Sequence, residues 1–208
     1  MKHAKTKPAA ALVLVSLLVS TNAQCGNLPG LYVGAGGGRA HLGYDCYLDG
    51  VHFSTCLDAT HFGWTAFAGL QPLPFLGAEL QYLDFGQAQQ VENYSSLTTE
   101  RARALALFGT GTVSLPFVDL YAKAGLGGLQ TKTAILTSSP HQCVDTGACG
   151  YYGTQFDKEA LRFAWGLGLQ VKVASLALRG EYVRFIVPSS SFPNGEPDLL
   201  SVALLWKF

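Results

Sequence analysis

The stretch Phe62–Gly86 reads FGWTAFAGLQPLPFLGAELQYLDFG. Two alternating halves, Phe62–Gln71 and Phe75–Phe85, flank the connection Gln71-Pro72-Leu73-Pro74. Proline has no N–H to give to a sheet ladder, so two prolines in three positions mark a turn between strands. In the second half Leu76, Ala78, Leu80 and Tyr82 share one face, while Gly77, Glu79, Gln81 and Leu83 share the other. A period of two is a strand signal, because successive side chains point to opposite faces. About ten residues at ~3.3 Å each, tilted by ~45°, rise roughly 23 Å, close to the height of the apolar band on a membrane-crossing strand.

The same pattern recurs on both sides. Strands are expected at Leu31–Leu42, Phe62–Gln71, Phe75–Phe85, Glu100–Val113, Val118–Thr131, Ala160–Val171, Ser175–Ile186 and Asp198–Phe208. The connections between them, 43–60, 71–74, 87–99, 114–117, 132–158, 172–174 and 187–197, alternate long and short. A soluble sandwich has no reason to keep every short connection at one end, whereas outer-membrane barrels have short periplasmic turns and longer external loops. The expected fold is therefore all-β: an eight-stranded antiparallel up-and-down transmembrane β-barrel. In Glu100–Val113 the alternation does not choose between Leu105 and Leu107 or Ala104, Ala106 and Phe108 as the outer face.

Composition narrows the function classes. The 208 residues include 24 glycines and few charges, and no basic patch stands out, which argues against a nucleic-acid binder. Residues 1–23 read as a cleaved signal peptide: Lys2, Lys5 and Lys7, then the apolar Ala9–Val19, then Thr21-Asn22-Ala23 at the cleavage site. Residues 24–208 are the expected barrel domain. Gln24 is not the small residue that precedes a lipidated cysteine, which argues against a lipoprotein anchored at Cys25. The mature chain would carry 11 basic and 14 acidic residues, a net charge of −3. Most acids, Asp84, Glu100, Asp157 and Glu159 among them, are assigned to connections or their borders, as solvated loop residues.

Two features decide between a membrane barrel and a secreted lipocalin-like ligand-binding barrel. The last strand puts Leu200, Val202, Leu204, Trp206 and Phe208 on one face and ends on the aromatic residue, as an interfacial girdle requires. Glu79, Lys123, Arg162, Arg179 and Glu181 occupy the opposite face of their strands. Basic side chains turned to lipid would cost about 2–4 kcal/mol each near the midplane, whereas inside a narrow barrel they can pair with acids.

The segments LYVGAGGGRA, AGLQPLPFLGAELQY, VDLYAKAGLGG, LALRGEYV and the terminal aromatic strand together resemble the eight-stranded transmembrane domain of the OmpA-like and opacity-type outer-membrane protein family. The resemblance implies an interior charge network at Glu79, Lys123, Arg179 and Glu181; Arg162 joins them by alternation alone. It also implies that the stripe Val202, Leu204, Trp206 and Phe208 is the signal read by the barrel-assembly machinery. The expected location is the bacterial outer membrane, with the lipid bilayer and lipopolysaccharide as surroundings. The expected role is structural or surface-interacting, adhesion-like, through external loops whose surface or host ligand the sequence does not name. A narrow porin-like channel is the alternative.

No enzymatic role, cofactor, metal or nucleic-acid partner is expected. The glycines at 34, 36 and 38 miss a phosphate-loop spacing at Arg39, and no helix follows. His52-Phe53-Ser54 offers a histidine and a serine but no orienting acid. Cys46 with Cys56 and Cys143 with Cys149 form close pairs in two external loops. Disulfides are favoured over metal ligation because neither pair has C-x-x-C spacing and a bridge needs no further ligand.

Overall fold

The computed structural model describes residues 30–42, 47–48, 51–52, 59–92, 96–138, 151–173, 175–187 and 196–208. Its strands are β1 (Leu31–Leu42), β2 (Tyr47–Leu48), β3 (Val51–His52), β4 (Ala59–Leu73), β5 (Leu76–Glu92), β6 (Ser96–Ser114), β7 (Val118–Ser138), β8 (Tyr151–Val173), β9 (Leu176–Ile186) and β10 (Asp198–Lys207). Eight of them close in the order β1-β10-β9-β8-β7-β6-β5-β4, and β2 pairs with β3 as a separate two-stranded hairpin. Every neighbouring pair in the barrel is antiparallel. Closure removes the exposed edges that an open sheet would present in lipid, where an unpaired backbone group costs several kcal/mol.

The short connections gather at one end, which is therefore the periplasmic end. Pro72 sits where the β4–β5 register shifts, between Leu70 and Leu73, so no ladder bond is lost to it. Nearby, the Gln71 N–H donates to the Gly30 carbonyl and its side-chain amide to the Pro74 carbonyl. Leu115 N–H donates to the Val118 carbonyl across the β6–β7 turn.

At the other end the strands outrun the expected segments. Much of 87–99 and of 132–158 is strand rather than loop: β5 pairs with β6 out to Glu92 and Ser96, and β7 with β8 out to Ser138 and Tyr151. Asp157 thus lies in a strand rather than a connection, and Asp84, Glu100 and Glu159, expected at the borders of connections, stand well inside their strands. Above the membrane water wets both faces, so the side chains stop alternating, yet the backbone ladder needs no apolar side chain to continue.

Alternation sorts the barrel wall into two faces. Leu80, Leu126, Leu167, Leu178 and Leu204 are exposed on the outside. The side chains of Tyr32, Phe67, Glu79, Lys123, Arg179 and Leu205 are buried inside. β6 falls the same way, with Ala102, Ala104, Ala106 and Phe108 buried and Leu105 and Leu107 exposed. An interior just wide enough for side chains takes the small alanines, and the leucines go to hydrocarbon.

Candidate functional site in the barrel lumen

The lumen is filled in layers. Toward the external end lies an apolar cluster that includes Leu83, Phe85, Phe108, Leu129, Phe185 and Leu199. Its Phe85 and Phe185 rings meet edge to face at 5.9 Å. A smaller cluster, Tyr32, Phe67, Ala177, Ala203 and Leu205, lies toward the periplasm. Two acids and two bases occupy the region where side chains of β5, β7 and β9 converge.

Lys123 on β7 is the hub. Its Nζ lies 2.9 Å from Glu79 Oε1, 2.8 Å from Glu181 Oε1 and 2.7 Å from Gln81 Oε1, so all three ammonium donors have acceptors. Arg179 Nη1 reaches Glu79 Oε2 at 2.5 Å and Glu181 Oε2 at 3.7 Å. The carboxylates take further donors: Tyr32 Oη to Glu79 at 2.8 Å, Gln81 Nε2 to Glu181 at 2.7 Å, and the Tyr121 hydroxyl to Glu181 Oε2. Gln81 Nε2 also donates to Thr65 Oγ1 at 2.8 Å. Charge balances within this set, and all four ionic side chains are at most 5% exposed.

Aromatic faces complete the enclosure. The Arg179 guanidinium lies 4.5 Å from the centres of both the Phe67 and the Tyr121 rings, and Lys123 Nζ lies 4.6 Å from that of Phe108. Ring faces carry negative potential, so they solvate a cation where water is excluded. Tyr121 fits because a glycine stands beside it: a Cβ on Gly168 would sit 2.6 Å from the tyrosine ring. At the periplasmic mouth a recess of about 20 Å³ is lined by Tyr32, Asp119, Tyr121, Gln170, Arg179 and Lys207 among others, room for a water molecule rather than a channel. Asp119 lies 2.6 Å from Lys172 there.

A charge-balanced network in the lumen of a closed eight-stranded barrel with a leucine-covered exterior agrees with a family match over residues 29–187, to the OmpA-like transmembrane domain. The chain belongs to that family. It is a bacterial outer-membrane protein.

Among solved structures, the OmpA-like barrel resembles neisserial surface protein A, NspA, with a TM-score of 0.60 and 14% identity over 86% of this chain and 97% of that one. Ail, the attachment invasion locus protein of Yersinia pestis, in complex with the heparin analogue sucrose octasulfate, gives a TM-score of 0.55 and 14% identity over 86% and 99%. The N-terminal β-barrel domain of Pseudomonas aeruginosa OprF gives 0.51 and 11% over 86% and 100%. At such identities these likenesses speak for the fold. No curated protein sequence matches.

Arg162 stands apart by register in this OmpA-like barrel. It is opposite Gly127, four residues from the Lys123–Gly166 pair toward the external end. Sequence reasoning missed Tyr32, Thr65, Gln81 and Tyr121; same-face alternation with Glu79 and Lys123 could have supplied Gln81 and Tyr121. Residues 1–23, the five cysteines Cys25, Cys46, Cys56, Cys143 and Cys149, and the side chain of His52 lie outside what the structure describes. Among the described residues, no group of three or more His, Cys, Asp or Glu side chains is placed to hold a metal ion.

Val202, Leu204, Trp206 and Phe208 form an exposed stripe on the outer face, and the Phe208 N–H donates to the Leu31 carbonyl at the barrel seam. We propose that this stripe is read during assembly. Removing Phe208 should then lower the outer-membrane level of the protein several-fold in cells while leaving folding into detergent intact. Normal membrane levels of the truncated chain would refute this role.

Proposed function

We propose that this protein is a closed membrane anchor that presents its external hairpins as a contact surface, an adhesion-like role. The observation that carries the reading is the height of β5–β8. β7 and β8 stay paired from Gln130 and Glu159 out to Ser138 and Tyr151, about nine residues beyond the last apolar outward pair, Gly128 and Leu161. At ~3.3 Å per residue and a tilt of ~45° this rises roughly 20 Å beyond the membrane. On the other side of the barrel, β1 ends at Leu42 and β9 at Ile186. Such a ribbon adds nothing to the membrane seal but lifts the chain toward whatever approaches the cell. The filled lumen favours this reading over the porin-like channel, and the leucine-covered exterior favours it over a secreted lipocalin-like barrel. The names of Ail and NspA, an attachment protein and a surface protein, agree with it. We assign no enzymatic step to this chain.

The test is to shorten both tall hairpins, deleting 90–98 and 133–156 so that the Gln89–Thr99 and Lys132–Asp157 pairs are kept, and closing each with an Asn-Gly turn. The barrel should still fold, as read by heat-modifiable gel mobility, while attachment of bacteria displaying it to cultured host cells falls to the level of a strain lacking the protein. Undiminished attachment by the folded, shortened barrel would sink the proposal.

A further inference from the structure

On the outer surface the boundary of the hydrocarbon is visible residue by residue. Tyr82, Leu105, Gly128 and Leu161 are cross-strand neighbours on β5 to β8, and all face outward. The next outward row toward the external end reads Trp64, Asp84, Arg103, Gln130 and Glu159, and beyond it come Arg101, Lys132 and Asp157. The wall thus changes from apolar to ionic in one step, at the depth of the lipid headgroups.

In this ionic rim one group is built rather than scattered. The β5–β6 register shifts between Asp84 and Gln87, where Gly86 adopts φ +82°, a left-handed conformation that glycine enters without strain. That bulge lets the Gly86 N–H donate to Asp84 Oδ1 at 3.0 Å. The other oxygen, Oδ2, accepts from Arg101 Nη2 at 2.9 Å and from Arg103 Nε at 3.1 Å. Asp84 is only 4% exposed, whereas Arg101 and Arg103 are 44% and 38% exposed. The carboxylate holds two guanidinium groups side by side but cancels one of their two charges. Elsewhere in these rows Lys132 is paired with Asp157 at 3.4 Å, while Glu159 takes a hydrogen bond from the neutral Gln130 at 2.9 Å and keeps its negative charge two strands away from Arg103. Each guanidinium has five N–H donors in a fixed fork, and Asp84 takes one from each. Beside the pair, the Trp64 and Tyr82 rings pack 5.1 Å apart, tilted by 43°, an aromatic pair at interface depth.

We propose that Arg101 and Arg103 form a docking site for a phosphate carried by a glycolipid headgroup of the outer leaflet. Planar guanidinium forks suit phosphate oxygens. The site is continuous with the lipid-facing wall, for Leu105 and Leu107 lie directly below on β6 and would run along an acyl chain of the same lipid. A lipid is thereby held at both ends of its interface, which a soluble anion would not be. This names a site for the lipid surroundings of the barrel and is independent of the adhesion-like reading.

The experiment uses the full chain folded in phosphatidylcholine nanodiscs and titrated with bis-phosphorylated lipid A, with bound copies counted by native mass spectrometry. The R101Q/R103Q variant should bind about thirtyfold more weakly, the factor expected for two basic side chains at an anionic membrane surface. Lipid A stripped of its phosphates should bind wild-type protein as weakly as that variant binds the intact lipid. The comparison of the two lipids needs no variant, so it decides even if R101Q/R103Q fails to fold. Equal binding of the two lipids, equal binding by the two proteins, or displacement by inorganic phosphate at matched concentration would each overturn the site.

Discussion

Glu79→Ala should lower the stability of the barrel by about 3–5 kcal/mol, the range for leaving a buried charge without its partner. Glu79 accepts from Tyr32, Lys123 and Arg179 at once, so its removal takes an acceptor from each of them and leaves two cations facing one carboxylate. Water cannot easily make up the loss, because the apolar cluster on one side and the Phe67 and Tyr121 rings on the other close the site. Glu79→Gln keeps the size and one acceptor oxygen and should cost less. Urea titration of barrels folded in lipid vesicles, followed by tryptophan fluorescence, gives both values. A Glu79→Ala midpoint equal to that of the wild type would refute the interlocked lumen.

Leu178→Arg should impair insertion by about 2–4 kcal/mol, the cost of a cation on the lipid face near the midplane. Leu178 is 52% exposed on the outer face and stands opposite Leu204, the middle of the outward stripe of β10. Gly128→Ala is the matched control: it is also on the outer face, and a Cβ there meets nothing within 4 Å. The control should fold into vesicles as well as the wild type, and the arginine variant should leave most of the chain in the aggregated or unfolded band. Equal folding yields for Leu178→Arg and Gly128→Ala would overturn the facing of β9.

What could be read from the sequence, and what could not, follows from where each residue meets lipid. Inside the band one face must be apolar, so alternation is enforced. β1 begins and ends as expected at Leu31 and Leu42, and the turns at Pro74 and Pro116 fall where proline demands them. Above the band both faces are wet, the enforced alternation ends, and the paired stretches 87–92 and 132–138 look like loop. β6 resisted because alanine and leucine are both apolar. Only the packing tells them apart, with Phe108 turned inward over Lys123 and Leu107 outward.

For the lumen, charged residues on a strand with an apolar opposite face announce their direction, as Glu79 and Lys123 do. Gln81 and Tyr121 are legible only through their parity with Glu79 and Lys123, and Tyr32, on a strand with no inward charge, carries no signal, since aromatic groups stand on either face of a membrane strand. Arg162 shares the inward parity, but parity says nothing about depth, and its register sets it beside Gly127 rather than the Lys123 layer. The Asp84 group was hidden for a different reason. A bulge breaks the period of two, and Gly86 is the only local trace of it.

Side chains from both walls interlock around Lys123 with apolar layers on either side, an arrangement that should pass no ions. Single-molecule current recording of monomeric wild-type protein in planar lipid bilayers tests it most directly. The interlocked lumen predicts no steady conductance above the bare-membrane baseline, with at most brief openings once Glu79 is replaced by alanine. Large, stable, ohmic channels from the monomeric wild-type barrel would contradict it.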